Sequence, residues 1–390
     1  MRIARVELRL LRLPLVEPFI ISGGTMTERT SLVVILHDGE GHRGYGESPP
    51  FELPFYSDET LAGARDLLER VLIPRILETD PDSPEELDRA LRAGVRGNPF
   101  ARAALDTAAW DLEAARRGTG LAALLGERLR CTPAADIPCG VALGIPQDRS
   151  TGTLRRWIAE AVSHGYRRVK IKVAPGWDVE PVDAARRELA GTGLPLTVDG
   201  NGAFEWPEHE PALRAMDDAE LLYIEQPLHP DELVGHARLA ERLHTPVCLD
   251  ETLRDARAAR QVLELGGPLV WNVKVHRVGG LSEVVRIVDL ARQGGARLWA
   301  GTMPESGLGS QAALAAASLP EFVYPSDLEP SSRWFGPGRD VIELTMSGGG
   351  RMSVPGQPIE RLLVPGRLVE ASTLLLDLPP RRVDGAAPGP

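Results

Sequence analysis

At 390 residues the chain exceeds one minimal domain and suits a barrel of about 200 to 250 residues with a second unit beside it. Its 44 basic residues stand against 55 acidic ones, a formal net charge of -11, which excludes nucleic acid and anionic membrane as expected partners. Cys131, Cys139 and Cys248 are too few and too irregularly placed for a disulfide framework or a zinc site, and fit buried thiols in a reducing compartment.

Residues 1–10 interleave charges with apolar residues, the pattern of a first strand and not of a signal peptide. No run approaches the roughly 20 apolar residues a spanning helix needs. A soluble, cytoplasmic protein with no membrane partner is expected. Residues 31–37 form a strand closed by Asp38-Gly39, a turn signal, and helical periodicity follows over 59–77 and 101–117. These make an α+β domain over 1–132. Residues 133–321 then alternate strands with helices at 152–164, 179–189, 231–243, 256–265 and 281–294, each apolar on one side. Residues 322–390 supply a last barrel element and strand-like pieces over 341–375 that return to the first domain, and 381–390 reads as a disordered tail.

Within the alternating region, Lys172, Asp199, Glu225, Asp250 and Lys274 each close a short apolar run, at intervals of 24 to 27 residues. Such an interval fits one strand, one return helix and two loops, and in series it predicts an α/β fold of the (β/α) barrel type, whose strands end together at one mouth. Residues two apart on a strand share a face, so Lys170 and Lys172 point the same way. Two ammonium groups in a partly desolvated site lower each other's pKa, which suits one of them to act as a base near neutrality. Taken alone the pair reads as solubilising lysines on an exposed strand; its place at the head of the series favours chemistry. Three carboxylates offer the oxygen ligands of Mg²⁺, with Mn²⁺ a substitute, and no histidine joins them as zinc would ask. Each alone would be a helix cap or turn residue. The cation would hold a substrate carboxylate and stabilise the enediolate left when the neighbouring α-proton departs.

The stretches Val169-Lys170-Ile171-Lys172, Asp199-Gly200-Asn201, Ile224-Glu225-Gln226-Pro227-Leu228, Leu249-Asp250-Glu251, Asn272-Val273-Lys274 and residues 301–309, in this order and spacing, resemble the enolase superfamily, muconate-lactonizing-enzyme subgroup. They are most similar to the o-succinylbenzoate synthase and N-succinylamino acid racemase family. A lysine base beside Mg²⁺ is that superfamily's known arrangement. The resemblance implies a (β/α)7β modified TIM barrel under an α+β cap, a homo-oligomer, and a small carboxylate substrate. It implies Lys172 as acid/base on one face with Lys170 its companion, Lys274 on the opposite face, and Asp199, Glu225 and Asp250 as metal ligands. Asn201 orients a ligand or forms an Asn-Gly turn, and Glu251 pairs with a lysine behind the metal. Thr302, Met303 and Glu305 fall near the substrate. Phe19, Ile20, Phe51 and Tyr56 belong to cap loops that cover the mouth and exclude water, or that merely pack the two domains together.

The activity so implied is syn-dehydration of 2-succinyl-6-hydroxy-2,4-cyclohexadiene-1-carboxylate in the menaquinone pathway, with N-succinylamino acid racemisation as close rival. Muconate cycloisomerisation and dipeptide epimerisation follow; Asp327 and Glu329 resemble the paired acids by which dipeptide epimerases hold an ammonium. A non-catalytic barrel stapled by its metal is the rival from another class. Thr302, Pro304 and Val275-His276 depart from the family pattern, so the distal end of the substrate is expected to be bound differently, and His276 reads as a packing residue.

Overall fold

The computed structural model describes residues 2–21 and 24–379, without the side chains of 19–21, 24 and 25. The amino-terminal sheet is built from β1 (Ile3–Ile21), β2 (Gly24–Asp38) and β3 (Arg43–Ser48), all antiparallel. Phe19 and Ile20, expected in a cap loop, belong to β1. The apolar run of β2 is buried on both faces: Leu32, Val34 and Leu36 pack against the cap helices, and Val33 and Ile35 against the barrel. Helix Pro99–Arg117 lies directly on β3, because Gly44 and Gly46 carry no Cβ; one at Gly46 would overlap the Ala104 carbonyl oxygen. Glu59 receives the Phe100 and Ala101 amides at 2.8 Å each, satisfying the start of that helix.

The barrel follows. A short β4 (Asp136–Pro138) precedes β5 (Gly140–Leu143), β6 (Arg168–Lys172), β7 (Leu196–Asp199), β8 (Ile224–Glu225), β9 (Val247–Leu249), β10 (Val270–Asn272) and β11 (Arg297–Trp299). From β5 to β11 the strands are parallel and neighbours in chain order. Residues 322–326 form the eighth stave without becoming a regular strand: Phe322 bridges Leu298 on β11, and Ser326 bridges Cys139 beside β5. The result is a modified TIM barrel in which β6 and β10 stand four staves apart, on opposite sides of the mouth. Helices Val179–Leu189 and Leu281–Gly294 occupy the expected residues, whereas Leu233–Ala240 is shorter than expected. Finally β12 (Arg351–Ser353) pairs with β4, and β13 (Ser372–Leu378) returns to pair antiparallel with β1. The expected disorder of 381–390 lies outside the described residues.

Carboxylates fasten the two units by capping helices across the boundary. Asp106 of the cap receives the Ser282 amide at 3.0 Å, at the start of helix Leu281–Gly294. Gly280 sits there at φ 110°, and any side chain on it would overlap that carboxylate. Glu47 on β3 receives the Gly309 amide at 3.0 Å and the Ser306 hydroxyl, while Asp340 receives the Gly307 amide at 2.9 Å. Helix Gly307–Ala317, buried along its whole length, is thus capped from both units. Among the described residues no helix is long and apolar enough to cross a membrane.

Gly46→Ala is expected to destabilise the protein by about 2 kcal/mol, because the added methyl meets backbone and not a flexible side chain. Urea unfolding measures this, and an unchanged midpoint would mean that helix Pro99–Arg117 moves away freely.

Candidate active site

Successive staves deliver the acids. Asp199 ends β7, Glu225 ends β8 and Asp250 follows β9, all buried, so they form an arc across one half of the mouth. Lys172 at the end of β6 and Lys274 just past β10 stand at the two ends of that arc. Lys172 Nζ lies 3.4 Å from Asp199 Oδ2 and donates to Asn201 Oδ1. Lys274 Nζ donates to Asp250 Oδ2 at 2.8 Å and to the Tyr56 hydroxyl at 2.8 Å.

Lys170 and Lys172 share a strand face but not an environment. The Lys172 side chain is 38 % exposed at the rim, and that of Lys170 is 5 % exposed below it. Lys170 Nζ lies 2.9 Å from Glu225, 2.7 Å from Asp327 and 4.7 Å above the centre of the Trp299 ring. The expectation that crowding lowers both lysine pKa values is corrected for this residue. Burial does oppose its charge, but Asp327, Glu225 and Asp199 outweigh burial and hold the amine well above its usual range. Lys274 is likewise raised, burial being overcome by Asp250. Lys170 is therefore a fixed internal cation. Arg168, buried beneath Gly140, donates to Asp327 and to the Pro325 carbonyl, so the same acid anchors the irregular eighth stave. Glu329 faces Arg333 at 2.7 Å. Asp327 is thus paired with Lys170 and Arg168, and Glu329 with Arg333, so both acids are already matched by cations of this chain.

Asn201 takes the turn conformation, and its side chain links two neighbours of the acidic arc. It adopts the left-handed conformation of a turn residue (φ 41°), and its side chain bridges Lys172 to Glu251, donating to Glu251 Oε1 at 2.9 Å. Glu251 is thus partnered by Asn201, where a lysine was expected. Two polar partners escaped the sequence reading. Arg277 donates to Asp250 Oδ1 and to the Asn272 carbonyl at 2.9 Å, and Asn272 Nδ2 donates to Glu225 Oε1 at 2.8 Å while its Oδ1 receives the Gly301 amide at 2.8 Å. Their signal was position: a polar residue inside the apolar run of β10, and an arginine three residues past Lys274.

The donor set suits a hard dication. Asp199, Glu225 and Asp250 offer oxygen alone. Burial, then repulsion from Asp199, raises the Glu225 carboxyl despite Lys170. Burial and Asp250 raise Glu251, whose Oε2 is buried without a partner. The repulsion that still raises Glu225 and Glu251 is what a bound cation would discharge. The Lys170 amine lies beside two of the three, 3.7 Å from Asp199 and 2.9 Å from Glu225. Among the described residues the tighter group is Asp38, Glu40 and His42, within 4.8 Å of one another at the β2–β3 turn. There Asp38 is engaged with the Glu40 and His42 amides and the His42 ring.

The cap supplies an aromatic patch. Phe51 meets Phe55 at a tilt (4.6 Å between centroids) and Tyr56 edge-on (6.2 Å), and packs with Phe100 and Met303. Arg29, buried on β2, binds the carbonyls of Pro49, Pro50, Met303 and Pro304, tying the cap loop to the segment after β11. Tyr56 is thereby brought to Lys274 at the mouth, with Phe51 and Met303 packed behind it. Thr302 instead turns its hydroxyl to the Asp327 carbonyl at 3.1 Å, and Glu305 is buried, receiving the Met303 amide at 2.6 Å. His276 is buried 3.8 Å from Glu305, and burial pushes it down to about 4. The side chains of Phe19 and Ile20 lie outside the described residues.

Residues 5–126 match the mandelate racemase / muconate lactonizing enzyme N-terminal domain, and residues 153–358 match the enolase C-terminal domain-like family. The chain belongs to the enolase superfamily, in its muconate-lactonizing-enzyme subgroup. It is 43 % identical over 356 residues to an N-succinylamino acid racemase of Thermus thermophilus, covering 91 % of this chain and 93 % of that one. It is 40 % identical over 354 residues to an o-succinylbenzoate synthase of Geobacillus stearothermophilus, with 90 % and 91 % covered. The crystal structure of an enolase-superfamily member from Listeria innocua superposes with a TM-score of 0.89 at 31 % identity, covering 97 % of this chain and 99 % of that one.

The difference between the two lysines of β6 is measurable in this superfamily member. Lys170→Met is expected to cost about 3 to 5 kcal/mol by leaving Glu225 and Asp327 buried without their shared cation. Lys172→Met, at the exposed rim, should cost less than about 1 kcal/mol. Urea unfolding of both variants checks this, and equal losses would contradict it.

Proposed function

We propose that this enzyme removes a proton alpha to the carboxylate of a small substrate in a Mg²⁺-dependent reaction, and that its leading reaction is o-succinylbenzoate synthesis. The observation that carries the reading is the placement of Lys172 and Lys274 at opposite ends of the acidic arc. Mg²⁺ held by Asp199, Glu225 and Asp250 supplies positive charge at the substrate carboxylate. Asn201 and Asp199 orient the Lys172 amine, and Asp250 and Tyr56 orient that of Lys274. Lys170 holds Glu225 and does not travel. Phe51, Tyr56 and Met303 exclude water above the reacting carbon.

In the dehydration, one lysine takes the α-proton and returns it to the departing hydroxyl as the C–O bond breaks, so that water leaves on the same face. The other lysine holds its charge over the anionic carbon skeleton. The opposed lysines also favour a second reading, racemisation of N-succinylamino acids, in which each amine exchanges a proton with one face of the α-carbon. Likeness to both kinds of relative supports keeping the two together.

Both substrates are to be assayed with Mg²⁺, by absorbance for dehydration and by polarimetry for racemisation. Lys172→Ala and Lys274→Ala are each expected to lower kcat by about 10³-fold, and chelation should abolish turnover that Mg²⁺ restores. In D₂O each variant should still exchange the α-proton of one N-succinylamino acid enantiomer, the two variants choosing opposite ones. Inactivity toward both substrates would overturn the substrate reading, and full turnover without either lysine would overturn the chemistry.

A further inference from the structure

The carboxylates of Glu225 and Asp250 belong to staves whose backbone pairing is too short to set their spacing. β8 has two residues, and its ladder with β9 ends at Glu225 opposite Cys248, two residues short of Asp250. A side chain continues where the ladder stops. Gln226, fully buried and held in the left-handed region (φ 35°), receives the Asp250 amide at 3.0 Å and the Thr252 amide at 3.1 Å on Oε1. Its Nε2 donates to the Leu228 carbonyl at 2.9 Å and to the Thr252 hydroxyl at 2.8 Å. The Thr252 hydroxyl in turn donates to the Pro230 carbonyl at 3.0 Å. All four hydrogen-bonding positions of the amide are used, which fixes it in one orientation.

His236 locks this bracket from helix Leu233–Ala240. Its Nδ1 donates to the Glu232 carbonyl at 2.7 Å, which leaves Nε2 as an acceptor. That acceptor receives the Leu228 amide at 3.3 Å and lies 3.4 Å from Gln226 Nε2. Burial pushes the ring down to about 4, so it stays neutral and keeps this role. None of the three side chains is engaged with a lysine or with the carboxylate oxygens themselves.

We propose that Gln226, Thr252 and His236 are positioning residues for the divalent cation, setting the separation of the Glu225 and Asp250 carboxylates through the backbone that carries them. The inference rests on the reading that Asp199, Glu225 and Asp250 hold that cation. Removing the bracket degrades cation affinity while the barrel still folds. Partners behind metal ligands generally act this way, at about 10 to 100-fold in affinity.

The test is Mn²⁺ binding to the full chain without substrate, read by electron paramagnetic resonance well below the melting temperature. His236→Phe, which keeps the ring volume but loses the acceptor, and Thr252→Val, which keeps the shape but loses the hydroxyl, should each raise the Mn²⁺ Kd about tenfold. His236→Gln restores an acceptor near the Nε2 position and should return the Kd to within about twofold of the parent protein. Asp250→Asn is the control for the cation site itself. If it abolishes binding while His236→Phe and Thr252→Val bind as tightly as the parent, the bracket is only structural and the inference is overturned. If the parent binds no Mn²⁺, or Asp250→Asn binds unchanged, it is the metal reading that fails. Should His236→Phe not fold, Thr252→Val decides alone.

Discussion

Buried negative charge is the constraint on which the rest of this structure depends. Asp199, Glu225 and Asp250 sit on adjacent staves because the βα repeat puts them there, and in a low-dielectric interior their repulsion has to be answered. Around them Lys170, Lys172, Lys274 and Arg277 each meet at least one of the three. The answer extends downward: Lys170 needs Asp327, and Asp327 needs Arg168, which in turn fits only because residue 140 is a glycine. A chemical requirement at the mouth thus reaches the wall of the barrel.

The same economy joins the two units. Glu47, Asp106 and Asp340 end inside the protein at helix starts, where backbone amides would otherwise lack partners. Arg29 does the converse, gathering carbonyls from the cap loop and from the segment after β11. These contacts hold the loop that carries Phe51 and Tyr56 against the barrel, and the Tyr56 hydroxyl meets Lys274 at the mouth.

The series of strand-end charges was legible in the sequence because the length of a βα unit hardly varies, and it brought out the barrel, its mouth and its five principal side chains together. Other features were hidden for physical reasons. The raised pKa of Lys170 depends on Asp327, 157 residues away, and no local pattern announces that pairing. Helix Gly307–Ala317 is buried on every side, so it carries no amphipathic period to read. The eighth stave keeps only isolated bridges to its two neighbours, with Pro325, which has no amide hydrogen, between them, and Arg29 looks like an ordinary surface charge until its strand is seen to be covered on both faces. Arg277 and Asn272 stood in plain view beside Lys274, yet their partners arrive from other staves.

The pairing of β13 with β1 has a consequence for synthesis. The sheet that opens the sequence acquires its outer strand only from residues 372–378, after every stave of the barrel has been made. A nascent chain therefore carries an unfinished edge through most of translation, and the cap sheet is completed only after the last stave.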